Sequence, residues 1–92
     1  MTSYEFEKAA KNAVKKFLMV RYNIKTTIDK LELVWFAHEM GNKKCTIWGP
    51  SMGTMYAEVT YNKTTREMYV DIYTKIHKEV IPESDLEFEV ES

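Results

Sequence analysis

The chain has 92 residues, 45% of them hydrophobic and 13% aromatic, too much apolar side chain for a disordered segment and about what one small domain can bury. Charged residues make up 29% and the formal net charge is −1, which is not the balance of a strongly basic nucleic-acid binder, and the single Cys45 excludes an internal disulfide and a multi-cysteine metal site. No apolar run approaches the ~18 residues of a membrane span, and Met1 to Glu5 lack the basic start and apolar run of a secretory signal, so the expected location is the cytoplasm.

In chain order, Thr2 followed by Glu5 makes a capping-box pattern ahead of a run with helical period. Phe6, Ala9, Ala10, Ala13, Val14 and Phe17 fall on one face, while Lys8, Lys11, Lys15 and Lys16 fall on the other, predicting an amphipathic helix over residues 3–22. Residues 23–30 lack a period and read as a connector. From Leu31 the period becomes two, with Leu31, Leu33, Trp35 and Ala37 opposite Glu32, Val34, Phe36 and His38, until Gly41-Asn42 interrupts it.

A short second strand runs from Lys44 to Trp48 and is closed by Gly49-Pro50. Met55 to Tyr61 and Glu67 to Tyr73 alternate cleanly and are joined by the turn signal Asn62-Lys63-Thr64-Thr65. Residues 74–81 fit either helix or strand up to Pro82. In residues 83–91, five carboxylates alternate with Leu86, Phe88 and Val90, so a body with thirteen Lys and Arg against nine Asp and Glu ends in an acidic strip. That strip reads as an edge strand or as a solvated tail.

The fold expected is α+β: an N-terminal helix packed on a four- to five-stranded antiparallel meander, with residues 1–92 as a single domain. The helix should bury Phe6, Ala10, Ala13 and Phe17 against Leu33, Val59, Val70 and Ile72. One sheet face then lacks a cover, and strict alternation assigns to it Val34, Phe36, His38, Thr46, Trp48, Tyr56, Glu58, Tyr69, Asp71 and Tyr73. Four of its aromatics, Phe36, Tyr56, Tyr69 and Tyr73, together with Phe88 of the tail, are the candidate protein-binding residues, for a second copy of the chain or for another protein.

Catalytic signatures are weak. Gly49-Pro50-Ser51-Met52-Gly53 fits the nucleophile pattern Gly-x-Ser-x-Gly, but that motif works between a strand and a helix in a large parallel sheet, and here a strand follows. Asn62-Lys63-Thr64 matches a glycosylation acceptor and reads as a hairpin turn. His38, Cys45 and His77 share no ligand spacing, so no metal, cofactor or catalytic residue is expected. Lys8, Lys11, Lys15 and Lys16 form a basic stripe that could meet phosphates while sheet aromatics stack bases, which makes nucleic acid the second-ranked partner.

The segments Tyr4-Glu5-Phe6-Glu7-Lys8-Ala9-Ala10, Val34-Trp35-Phe36, Met55 to Asn62 and Met68 to Tyr73 carry a resemblance over most of the chain. On them the chain resembles an uncharacterised family of small phage-encoded proteins, from phages of Gram-positive bacteria. Its most distinctive segment is Tyr-x-Glu-Val-Thr-Tyr-Asn, Tyr56 to Asn62, and eleven Lys against two Arg suit an AT-rich genome. The resemblance implies a non-enzymatic accessory protein in the host cytoplasm that binds a host, mobile-element or phage protein. It supplies no catalytic residue.

Overall fold

The computed structural model describes residues 1–75 and 79–87. A helix, α1 (Ser3–Tyr22), is followed by four strands, β1 (Glu32–Glu39), β2 (Asn42–Trp48), β3 (Met55–Asn62) and β4 (Glu67–Thr74), with short 3-10 turns at Ile28–Lys30, Pro50–Met52 and Glu83–Asp85. The strands form one antiparallel sheet in the order β1-β2-β3-β4. This is the α+β meander expected from the sequence.

Local chemistry explains where α1 begins and ends. The Thr2 hydroxyl accepts a hydrogen bond from the Glu5 N–H at 3.1 Å, and the Thr2 N–H donates to the Glu5 carboxylate at 2.9 Å, completing the capping box. At the other end Asn23 takes a left-handed conformation (φ 55°), and the Ile24 N–H donates to the Leu18 carbonyl at 3.1 Å, so the chain turns away without orphaned carbonyls.

The helix lies across β2, β3 and β4 and buries Phe6, Ala10, Val14 and Leu18 completely. They pack with Cys45 and Ile47 of β2 and Ala57 and Val59 of β3, and Leu31 and Met52 join the same core. This corrects the expected helix face. Four-residue steps from Phe6 select Val14 and Leu18, leaving Ala13 and Phe17 half-buried on the flank, where the Phe17 ring lies 6.3 Å from Tyr22 and 5.8 Å from the Arg21 guanidinium.

A β-bulge decides which residues of β1 face the helix. Leu33 pairs with Ile47 and Trp35 with Thr46, so Val34 is an extra residue and the alternation reverses beyond it. Phe36 therefore aligns with Cys45, Val59 and Val70 on the helix side, where its ring lies 5.8 Å from Phe6. The open-face assignments of Phe36 and His38 are thereby overturned, and Trp35 and Ala37 move to the open face in their place.

The β1-β2 hairpin closes through Met40 and Gly41, both at positive φ (51° and 85°), the turn whose twist matches paired strands. At the far end of β2, a Cβ on Gly49 would come within 2.6 Å of the Lys30 carbonyl oxygen, so only glycine lets these two segments meet. Beyond β4, the Lys75 N–H donates to Thr54 O at 3.0 Å. Residues 79–81 are neither helix nor strand, and residues 83–87 form a 3-10 turn and extended chain rather than a fifth strand. Phe88, Val90 and His77 lie outside the described residues.

Replacing Leu18 by Ala should cost ~2 to 5 kcal/mol, because a completely buried side chain leaves a cavity at the helix-sheet contact. Phe17→Ala should cost clearly less, having only partial burial to lose. Urea denaturation of both variants checks the order, and a larger loss for Phe17 would place the helix face wrongly.

Candidate functional site

The face of the sheet away from α1 carries the aromatic side chains singled out from the sequence, with one exchange. Tyr56 and Tyr73 are cross-strand neighbours whose rings stack at 5.3 Å with 21° between planes. Trp35, Thr46, Glu58 and Asp71 form a second row, and Ala37, Lys44, Thr60 and Tyr69 a third. Trp35 is 52% exposed, Tyr69 and Tyr73 each 43%, and Tyr56 37%, so each ring is partly covered while offering area to solvent. Lys44 and Glu58 form an ion pair at 3.0 Å within this surface.

The strands that carry Tyr56, Tyr69 and Tyr73 pair in regular register, and Tyr56 and Tyr73 support each other by stacking, whereas Trp35 follows the bulge in β1. Trp48, at the end of β2, is fixed more firmly, donating its indole N–H to the Gly53 carbonyl at 2.9 Å. Trp35 is the residue that period-two reasoning assigned to the core. Leu33-Val34-Trp35-Phe36 is an unbroken apolar run, and nothing in it marks which residue bulges out of register.

The lysine stripe belongs to the opposite layer. Lys8, Lys15 and Lys16 are exposed along α1, whereas Lys11 is half-buried and pairs with Glu7 at 3.3 Å. Ser51 lies exposed on the 3-10 turn between β2 and β3, not at a strand-to-helix elbow. The Asn62 carboxamide accepts from the Thr64 and Thr65 N–H groups at 2.9 and 3.2 Å, which is its work as a turn residue.

Cys45 sits in the core, where burial and the Glu7 carboxylate push its thiol up to about 11. Among the described residues, no three His, Cys, Asp or Glu side chains gather as metal ligands would, and no helix is long and apolar enough to cross a membrane.

Residues 7–83 match the model of a family of unknown function (DUF6275). The chain belongs to that family. The match covers α1 from its second turn and all four strands, and ends at Glu83, the first residue of the 3-10 turn that opens the acidic segment. Searches among curated proteins and among solved structures each found no match.

Three outcomes are expected of this DUF6275 member, one at Ser51 and two at Cys45. Ser51→Ala should leave thermal stability unchanged and a serine-directed fluorophosphonate should not label the chain, because the hydroxyl sits on an exposed turn without the architecture that activates a serine. Native Cys45 should react with iodoacetamide at least ~100-fold more slowly than the unfolded chain, since its thiolate is scarce and buried. The unfolded thiol ionises near 9.0 and the folded one only near 11, so its contribution to stability is level below pH 9 and falls as the pH rises toward 11. Cys45→Ala, compared with wild type by urea melts across that range, should lack this component of the fall.

Proposed function

We propose that this protein is a non-enzymatic accessory protein of phage origin that works in the host cytoplasm by binding another protein through its open sheet face. The observation that carries the reading is the set of exposed aromatics, Trp35, Tyr56, Tyr69 and Tyr73, spread over three cross-strand rows of a sheet that α1 covers on one side only. Large rigid rings with a polar tip are favoured anchors at protein interfaces, because they bring contact area at small entropic cost. Glu58 and Asp71 beside them favour a partner with a basic rim, and the Lys44-Glu58 pair gives the surface both signs of charge.

Phage origin rests on the resemblance of the sequence segments described above and on its lysine-rich, arginine-poor composition. Phe36 leaves the set of contact residues because it packs on Phe6, and Trp35 enters it. Nucleic-acid binding loses its main attraction: Lys8, Lys15 and Lys16 lie on the helix layer and the aromatics on the opposite side of the sheet, so one strand cannot stack on the tyrosines and follow the lysines together.

The test uses the full chain as bait in a host lysate, followed by affinity measurement on the purified pair. Tyr56→Ser combined with Tyr73→Ser should weaken association by at least ~2 kcal/mol while lowering monomer stability by no more than the ~0.2 to 1 kcal/mol of a cross-strand pair, since these rings are anchors rather than core. Sedimentation of the protein alone distinguishes a second copy from a different partner. Binding that survives the tyrosine changes and disappears with Lys15→Glu and Lys16→Glu, or recovery that nuclease abolishes, would refute this assignment.

A further inference from the structure

At the end of the molecule where α1 begins, Met1, Glu5, His38, Gly41, Lys43, Tyr61, Lys63 and Arg66 enclose an open cleft of about 700 Å³. It lies on the helix side of the sheet, apart from the aromatic face. Lys43 pairs in register with His38 on one side and Tyr61 on the other, so all three stand on the α1 side near the strand ends. The two hairpin turns meet there because the Lys63 N–H donates to the Asn42 carboxamide oxygen at 2.9 Å. The stem of Lys63 passes directly over Gly41, in space that a Cβ would occupy, and Arg66 is held in a left-handed conformation (φ 57°) at the end of its turn.

Lys43 is the informative residue. Only 5% of it is exposed, yet among the described residues it makes neither an ion pair nor a side-chain hydrogen bond, in contrast to Lys44, which pairs with Glu58. No buried polar side-chain atom among the described residues is sealed off without a partner, so the ammonium keeps access to solvent, and the cleft is one of two depressions that Lys43 lines. Among the described residues no carboxylate pairs with this ammonium, so an anion entering the cleft would meet an uncommitted positive charge.

The rest of the cleft is suited to one. Lys43, Lys63 and Arg66 stand against a single carboxylate, Glu5, which already accepts the Thr2 N–H and whose pKa that contact lowers. The first turn of α1 adds the positive end of its dipole, and Tyr61 and His38 add hydrogen-bonding groups. We propose that this cleft binds a small phosphate-bearing anion, with Lys43 at its floor and Lys63 and Arg66 at its rim. Three cations arriving from β2 and from two positions of the β3-β4 turn match a group with several oxygens and more than one charge better than they match a lone carboxylate. The volume is that of a site for a small metabolite or nucleotide.

The test is calorimetric and NMR titration of the full chain with sodium pyrophosphate and, separately, with ATP at constant ionic strength. Saturable binding is expected, shifting the amides of Lys43, Lys63 and Thr64 and not those of Tyr56 or Tyr73. Lys43→Met should weaken it about tenfold while leaving the melting temperature unchanged or raised, an outcome that a purely structural lysine would not give. Arg66→Asn, which keeps a residue tolerant of positive φ, should weaken it similarly and serves if Lys43→Met does not fold. Equal affinity for the two ligands assigns the site to the phosphates alone, and tighter ATP binding assigns it to a nucleotide. Absence of saturation with both, affinities unchanged in both variants, or a response only to a peptide of residues 83–92 would overturn the proposal, the last in favour of the acidic C-terminal segment.

Discussion

One helix cannot cover both faces of a four-stranded sheet, and most of what distinguishes this protein follows from that inequality. The side of the sheet under α1 supplies the core, where Phe6, Ala10, Val14 and Leu18 meet Cys45, Ile47, Ala57 and Val59 with no exposed surface. Burial of these side chains is the dominant favourable term for a chain this short, and it leaves little stability in reserve. The other side must then be made compatible with water while remaining sheet. Tyrosine does this well: its ring suits the pleated surface and its hydroxyl stays wet, and stacking of Tyr56 on Tyr73 ties β3 to β4.

The bulge at Val34 is the device that reconciles β1 with this arrangement. With strict alternation, Trp35 would be driven under the helix and Phe36 out of it. One extra residue reverses them, so that the smaller ring packs on Phe6 and the larger lies on the open face. A bulge also increases local twist, and β1 is an edge strand, where an irregular backbone discourages pairing with other chains. The same residue thus sets the composition of the core, the content of the aromatic face and the shape of one sheet edge.

The proposed contact face and the proposed anion cleft separate along the same division. The aromatic face is broad, regular and carried by strand centres, as suits a macromolecular contact. The basic cleft is local, built from strand ends, two turns and the first turn of α1, and the Asn42 contact to Lys63 joins its two turns. Because they lie on opposite sides of the sheet, occupation of one does not obstruct the other. Cys45 stands between them in the core, its thiol suppressed by burial and so a packing residue rather than a reactive one.

The sequence by itself determined the element order, the helix bounds, both hairpins and the exposure of Tyr56, Tyr69 and Tyr73, because capping boxes, turn residues and two-residue periods are local signals written within a few positions. It also indicated one helix for one sheet, and so an uncovered face. Tertiary structure alone decided that Leu18 rather than Phe17 completes the helix stripe, since the crossing of α1 over the strands selects among residues that a helical period leaves equivalent. It alone decided which of Val34, Trp35 and Phe36 breaks register, because an uninterrupted apolar run fits either face until the volume beneath Phe6 chooses. The basic cleft was equally hidden: Glu5, the His38 and Lys43 pair, and the Lys63 and Arg66 pair come from three separate stretches of the chain, and only hairpin turns meeting the helix start bring them to one place.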